Sequence, residues 1–368
     1  MPVNRSSPGR GGRPRKDAGR PAHVTMREVA RAAGVSVSTV SRVINGGAGV
    51  SPDKVQGVQR AIGELGYRPN WSARELSLGS AVSTVGVLVP QLADEFTGSV
   101  VTGIERELKR AGFHMVCSLS HGEPQDEAAA LQVFRDRRVS GLILVTPSLS
   151  DNELLAEYQA GTPLVLVNHR LPEFADACIH IDNERAGYIA ARHLLELGHR
   201  DIVHISGPLS RQDARARQEG FLRALEEAGL GRDAGRVVEA AFTAEDGEAA
   251  MRRLLLRGRP TALFAGNDVI AAGAMVALRE AGLGVPQDVS IVGFDDRTLA
   301  RLIAPPLTTI RYPMEDAGRR AARHLVQRVR GEAADPLPLL PPALVVRAST
   351  RPLSEAAGLR QGVGARSS

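Results

Sequence analysis

Lysine is almost missing from this chain. Of 46 Lys and Arg residues only Lys16, Lys54 and Lys109 are lysines, which leaves 43 Arg. With the abundance of Ala and Gly, this reads as a high-GC coding bias rather than a functional signal. No lysine follows a Gly, so no phosphate-binding GxxxxGK[ST] loop exists. GxGxxG, HExxH, GxSxG and CxxC are absent as well, and an enzymatic reading loses its usual signatures with them. Cysteine is scarce: Cys117 and Cys178 are the two present, too few for a disulfide framework. Both lie in apolar, strand-like runs (HMVCSLS and ACIHID), which predicts buried, reduced thiols. Long apolar runs are lacking too. The longest uncharged stretch, Leu76 to Ala93, carries Ser, Thr, Gln and Pro, so no transmembrane helix is expected. The basic N-terminus has no apolar segment behind it and is not a secretory signal. A soluble cytoplasmic protein is the expectation.

What is present points to two or three domains: 368 residues, 43% apolar and 24% charged. The charge is unevenly placed. Residues 1–80 hold 13 Lys and Arg against 5 Asp and Glu, a surplus of eight. The remainder holds 33 against 36, a deficit of three, and the two give the +5 of the whole chain. A basic head on a slightly acidic body is the footprint of a polyanion-binding module joined to something else.

The head reads as three short helices. Thr25 and Glu28 make a capping box, Val29, Ala30 and Ala33 give a buried face, and Gly34 ends the first helix. Ser36 caps a second, whose Val40, Val43 and Ile44 point inward while Val37, Ser38, Thr39, Ser41 and Arg42 face outward. Pro52 opens a third helix after Ser51, with Val55, Val58, Ile62 and Leu65 as its apolar stripe. Helix, tight turn and helix place the hydroxyls and Arg42 on a face that enters the DNA major groove N-terminus first. Arg42 has the geometry for a bidentate contact to guanine. A plain three-helix bundle with one polar face is the competing reading of this pattern.

The stretch from Val24 to Gly79 contains T-x-x-E-V-A-x-x-A-G-V-S-x-x-T-V-S-R-V-x-N, then Y-x-P-N and A-R-x-L. It resembles the headpiece of the lactose-repressor/galactose-repressor (LacI/GalR) family of bacterial transcription regulators. The resemblance implies base reading by Val37, Ser38 and Arg42, and backbone anchoring by Thr25, Thr39, Ser41, Asn45 and Ser51. It makes Asn70 to Leu78 a hinge helix that orders on operator DNA, with Arg74 and Leu76 in the minor groove and Leu76 as the wedge. Ser77 departs from the basic residue often found there, and Trp71 reads as hinge packing. Gly12-Arg13-Pro14 and Gly19-Arg20-Pro21 fall outside the resemblance, in a basic tail with no structure to be assigned.

The body alternates apolar runs with amphipathic stretches. Val85–Val89, Met115–Leu119, Leu142–Val145, Leu164–Val167, Ile202–Ser206, Val237–Ala241, Ala262–Ala265 and Ser290–Gly293 read as buried parallel strands of a doubly wound α/β fold, built twice. E-R-A-G-Y-I-A-A-R-H-L-L at Glu184 returns as E-D-A-G-R-R-A-A-R-H-L-V at Glu315. Either these are equivalent helices after two crossovers between lobes, or the echo is chance in an Ala/Arg-rich chain. His193, His199 and His324 sit at helix ends, where a cationic tip suits the helix dipole.

LLELGHRDIVHISGP, the ARxxGF pattern, RPTALFAGNDVIAAGAM, GVPQDVSIVGFDD and PPLTTI extend the family resemblance over the body. It implies a periplasmic-binding-protein-like core of two lobes with a small-molecule effector between them. Phe96, Arg211, Asp213, Arg217, Phe242, Asn267 and Asp295 fall at effector-contact positions, and His169 and Arg170 follow a strand end that often faces the cleft. Two pairs have a simpler reading as i,i+4 helix partners: Asp213 with Arg217, and Arg215 with Glu219. The expected boundaries are a disordered basic tail over 1–23, the headpiece over 24–69 and a hinge helix over 70–80. An N-terminal lobe of 84–182 with 313–338 and a C-terminal lobe of 183–312 with 339–350 follow, then a disordered tail over 351–368. The C-terminal SEAAGLRQGVGARSS has no leucine heptads, which favours a homodimer over a tetramer. The expected function is a repressor that binds a pseudo-palindromic operator under the control of a sugar or sugar acid, with no cofactor, metal or catalytic residue. The rival is a sugar-binding protein built from the lobes alone.

Overall fold

The computed structural model describes residues 24–44, 49–67, 84–232 and 237–353. The chain divides into two compact units, one on either side of the Ala81–Val82 bond. Asn45, the whole 70–80 hinge with Trp71, Arg74 and Leu76, the 1–23 tail and residues beyond 353 lie outside the described residues. No helix among the described residues is long and apolar enough to cross a membrane.

The N-terminal unit contains α1 (Met26–Ala32), α2 (Val37–Ile44) and α3 (Pro52–Leu65). The Thr25–Glu28 capping box closes in both directions. Gly34, at φ 64°, makes the turn that a residue with a Cβ would resist. Ser36 Oγ accepts from the Thr39 amide at 3.2 Å and so caps α2. Val29, Val40, Val43, Val58, Ala61 and Tyr67 form the small core. Leu65 does not belong to it: it is 37% exposed, and Ala61 is buried in the stripe instead.

The C-terminal unit has two sheets. The first runs β2 (His114–Leu119), β1 (Thr84–Val89), β3 (Gly141–Val145), β4 (Leu164–Val167), β5 (Cys178–Ile179). Each neighbouring pair in it is parallel. The second runs β11 (Ala343–Val345), β10 (Thr308–Arg311), β9 (Ser290–Asp295), β8 (Ala262–Ala265), β6 (Ile202–Ser206), β7 (Val237–Glu239). It is parallel except for β11, which runs antiparallel to β10. In β1, β3, β4, β6, β8 and β9 nearly every residue is buried, as strands covered on both faces require. β2 is an edge strand, and Cys117 on it is exposed, contrary to expectation; Cys178, on β5 beneath its covering elements, is buried.

Helices flank both sheets: α4 (Glu95–Arg110), α5 (Pro124–Asp136), α6 (Asp151–Gln159), α7 (Asn183–Glu196), α8 (Gln212–Glu227), α9 (Ala244–Leu255), α10 (Asp268–Glu280), the short α11 (Thr298–Leu302) and α12 (Met314–Val329). The chain passes between the lobes near Ile181, Tyr312 and Leu340, and Ile181 bridges Leu340 in parallel. The echoed segments are α7 and α12. They carry glycine at the same echo position, and each glycine meets a partner helix backbone: Gly187 at the Arg217 carbonyl of α8, Gly318 at the Val100 carbonyl of α4. A reciprocal glycine answers from the other side, Gly220 against Glu184 and Gly103 against Glu315. The echo is therefore a repeated helix-crossing device. Residues 351–353, expected in the loose tail, are tied to the second lobe, with the Leu353 amide donating to the Leu197 carbonyl at 2.8 Å.

Candidate nucleic-acid interface and ligand cavity

On α2 the outward face expected from the sequence is present. Val37 is 42% exposed; Ser38 and Arg42 are exposed, and Thr39 and Ser41 half-buried. The Ser36 hydroxyl lies 2.7 Å from that of Ser38 and 2.9 Å from that of Thr39, so the helix opens on a cluster of hydroxyls. Thr25 spends its hydroxyl on Glu28 at 2.8 Å. Ser51 is exposed and makes no side-chain cap, which leaves its hydroxyl outside the cap of α3.

In the C-terminal unit a cavity of about 170 Å³ opens between the two lobes, at the carboxyl ends of the parallel strands. That is where open α/β sheets bind ligands. Three of the residues lining the cavity hold positive-φ backbone at these strand ends: Thr146 (φ 49°), Asn168 (φ 58°) and Asp295 (φ 109°). For β-branched Thr146 in particular this conformation is costly, and such strain gathers at functional sites.

Seven of the eight residues expected at the effector line this cavity together: Phe96, Arg211, Asp213, Arg217, Phe242, Asn267 and Asp295. Arg170 does not. Asn168 turns the chain at the end of β4, and the Gln212 amide then holds the Arg170 backbone from both sides at 3.1 Å. Arg170 and His169 thereby line a neighbouring cavity instead. Sequence reasoning missed Asp94, Thr146, Asn168, Phe294, Arg297 and Tyr312, all of which line the first cavity.

The charges in the first cavity are paired. Asp213 and Arg217 do form an i,i+4 ion pair, at 2.9 Å and within the cavity wall, so the helix reading and the site reading describe one contact. Asp213 also accepts from Arg211 Nε at 3.2 Å and from Asn168 Nδ2 at 3.1 Å. Burial pushes its carboxyl up, but Arg211 and Arg217 outweigh burial and hold it at about 2. Arg217 is 5% exposed, donates to the Gly266 carbonyl and stacks over Phe294 at 4.2 Å. Arg297 ties Asp295 at 2.8 Å to Asp94 of the other lobe. Those two carboxylates overcome its burial and raise its pKa further. Tyr312 meets Phe96 edge-on at 5.3 Å. Its hydroxyl is buried without a hydrogen-bond partner. The second i,i+4 pair is absent: Arg215 donates to the Leu209 and Ser210 carbonyls, while Glu219 pairs with Arg232.

A three-helix headpiece that presents a polar helix, together with a two-lobe core and a cleft of ligand size, defines a class: DNA-binding regulators with a small-molecule-binding core. Residues 25–70 match the family described as bacterial regulatory proteins, lacI family. Residues 191–350 match the periplasmic binding protein-like domain. The HTH-type transcriptional regulator DegA of Bacillus subtilis is 37% identical over 336 residues, 90% of this chain and 99% of DegA. A crystal structure of the lac repressor dimer bound to operator and the anti-inducer ONPF matches with a TM-score of 0.77 at 32% identity, over 89% of this chain and 99% of that one. A complex of the transcriptional regulator CelR with cellobiose matches with a TM-score of 0.66 at 35% identity, over 90% of this chain and all (100%) of that one. The chain belongs to the LacI family of transcriptional regulators.

Proposed function

We propose that this regulator is a homodimeric repressor whose affinity for a pseudo-palindromic operator is set by a neutral sugar in the 170 Å³ cavity. The carrying observation is the balance of that cavity. Arg211, Arg217 and Arg297 face Asp94, Asp213 and Asp295, all six in ion pairs. An anionic ligand would meet as many carboxylates as guanidiniums, whereas a neutral polyol bonds to the remaining lone pairs and N–H groups at no such cost. Asn168, Asn267 and Thr146 add donors and acceptors without charge. Phe96, Phe242 and Phe294 supply apolar faces for the ring carbons. The likeness to a cellobiose-bound regulator supports the same reading. A sugar acid, the other expectation, finds no arginine here without a carboxylate.

In the headpiece, Val37, Ser38 and Arg42 read bases, and Thr25, Thr39, Ser41 and Ser51 anchor on phosphates. Asn45, Arg74 and Leu76 complete the footprint by family resemblance. Residues 84–182 with 313–338 and 183–312 with 339–350 act as lobes whose relative closure the sugar changes, so the sugar acts by preferring one state.

The test has two arms on the purified chain. A thermal-shift panel of neutral sugars, sugar acids and sugar phosphates should raise the melting temperature for a neutral sugar by mass action. Stabilisation confined to sugar acids that Phe242→Ala abolishes would sink the neutral-sugar assignment. In the second arm, a palindrome selected from random DNA should bind Arg42→Ala about ten- to a hundredfold more weakly than wild type. Equal binding by the two proteins would refute the recognition-helix assignment. Sedimentation of the complex should show two chains on one operator.

A further inference from the structure

The 170 Å³ cavity is closed at two ends by polar bridges that run from one lobe to the other. At one end Asn168, which follows β4, donates to Asp213 in the first turn of α8 at 3.1 Å. At the other, Arg297, just before α11, pairs with Asp94, which caps α4 by accepting from the Thr97 amide at 3.2 Å. Both bridges are held in place from their own side. Asp213 is fixed by Arg211 and Arg217. Arg297 is fixed by Asp295 at 2.8 Å and, through its amide, by Asp268 at 2.7 Å. Open space lies behind each bridge. Asn168 and Asp213 also line the neighbouring cavity of about 620 Å³. Asp295, Arg297 and Tyr312 also line a third cavity, of about 250 Å³. Each bridge is therefore a partition one layer of side chains thick. The space between the two partitions falls below the roughly 300–1,000 Å³ of pockets that hold drug-sized ligands.

We infer that the cavity takes a single sugar ring, and that Asn168 and Arg297 set this limit: the regulator binds a neutral monosaccharide and refuses its disaccharide. The inference rests on the neutral-sugar reading of the cavity. One ring lies between the two bridges with its carbons against the phenylalanine faces. A second ring, extended past either end, takes the place of the Asn168 side chain or of the Arg297 guanidinium, and the bridge there has to open. Opening the Arg297 bridge leaves the Asp94 carboxylate without its partner, so a charge cost is added to the clash. Because both bridges join the lobes, a second ring also holds the lobes apart and favours the open arrangement. The number of rings is not dictated by the fold, since the related CelR is complexed with the disaccharide cellobiose.

The test is isothermal titration calorimetry of the full chain with monosaccharides and their β-1,4-linked dimers: glucose and cellobiose, mannose and mannobiose, galactose and galactobiose, xylose and xylobiose. Glucuronate and galacturonate run alongside. In the wild type one monosaccharide should bind saturably, and its dimer at least about a hundredfold more weakly. Asn168→Gly removes one partition and suits the φ of 58° at that position; Arg297→Ala removes the other. In at least one of them the preference for the monosaccharide should shrink about tenfold or more. Arg297→Lys, which keeps length and charge, should retain the wild-type preference. Circular dichroism melts check that the variants fold, and Asn168→Gly carries the test if Arg297→Ala does not. A wild type that binds a dimer as tightly as its monosaccharide would overturn the one-ring limit. A preference unchanged in every variant that folds would overturn the role of the bridges. Both of those outcomes leave the neutral-sugar reading standing. Binding confined to the two sugar acids, or heat from none of the sugars, sinks that reading and this inference with it.

Discussion

Asp268 is the buried carboxyl with the strongest consequence for the fold. It is fully buried (0% exposed) at the start of α10 and accepts from the Arg297 amide at 2.7 Å and the Thr309 hydroxyl at 2.6 Å. Burial first, and the charge of Asp295 second, push its pKa up from 3.8 to about 8. A folded pKa above the unfolded one means that the native state holds a proton the unfolded state has lost. The contribution is complete below the unfolded pKa of 3.8 and drains away as pH rises through about 8. Denaturant melts should therefore show stability falling by a few kcal/mol, an order-of-magnitude figure, between about pH 5 and pH 9. Asp268→Asn, neutral throughout and able to use the reversible Thr309 hydroxyl, should flatten that slope. An unchanged slope would rule out Asp268 as its source. His204 tilts the acid side the other way: buried between Phe221 and Phe264, its pKa is lowered by burial to about 4. Its contribution is present above 6.5 and lost as pH falls through about 4. The histidines expected as cationic helix tips behave similarly: burial lowers the pKa of both His193 and His199, and each takes a neutral hydroxyl partner, Thr350 and Ser290. Sequence spacing marks a helix end, but whether a later strand or tail covers it is decided by contacts more than 90 residues away along the chain.

At the scale of elements, the central strands were legible because strands buried on both faces leave four- to six-residue apolar runs. Leu164–Val167, Ile202–Ser206 and Ala262–Ala265 match the expected limits. β5, β10 and β11 escaped for physical reasons. β5 has two residues, β10 is threonine-rich, and β11 is a half-exposed antiparallel edge. The same reasons hid half the cavity. Thr146, Asn168, Arg297 and Tyr312 reach it by following strand ends, and which residue lies one step past a strand depends on register, not periodicity. The helix crossings give a sharp prediction. A Cβ on Gly187 would collide with the Arg217 carbonyl, whereas on Gly98 of α4 it would meet only the Leu92 carbonyl at an ordinary 3.7 Å. Gly187→Ala should cost about 1–3 kcal/mol by overpacking and, because α8 carries Arg217, weaken sugar binding as well. Gly98→Ala should be neutral or stabilising by up to about 1 kcal/mol. Equal melting temperatures for the two variants would show that the α7–α8 crossing has slack.

The whole core is held at its cleft by contacts from lobe to lobe, and these set how readily it closes. Arg297 reaches Asp94, and Asn168 reaches Asp213, both inside the cavity wall. Glu95 acts from outside that cavity: its carboxylate accepts from the Thr298 amide at 2.9 Å and the Thr298 hydroxyl at 2.8 Å, capping α11 across the lobes. A group that bonds only when the lobes are together stabilises the closed state without touching the ligand. Apparent affinity is the intrinsic affinity scaled by the closed fraction. Two charge-assisted hydrogen bonds, each worth about 1.5–3 kcal/mol at most and less at this exposed edge, are enough to change that fraction several-fold. Glu95→Ala should therefore weaken binding of the sugar found by the thermal-shift panel by roughly three- to thirtyfold. Unliganded stability should change by less than about 1 kcal/mol, because each lobe keeps its own core. Small-angle scattering of the unliganded chain should show a larger radius of gyration for the variant, converging on wild type at saturating sugar. If affinity falls while the two scattering curves stay superimposed, Glu95 acts on the site directly and the closure argument fails. If neither changes, the Arg297, Asn168 and Gln212 contacts hold the lobes without Glu95.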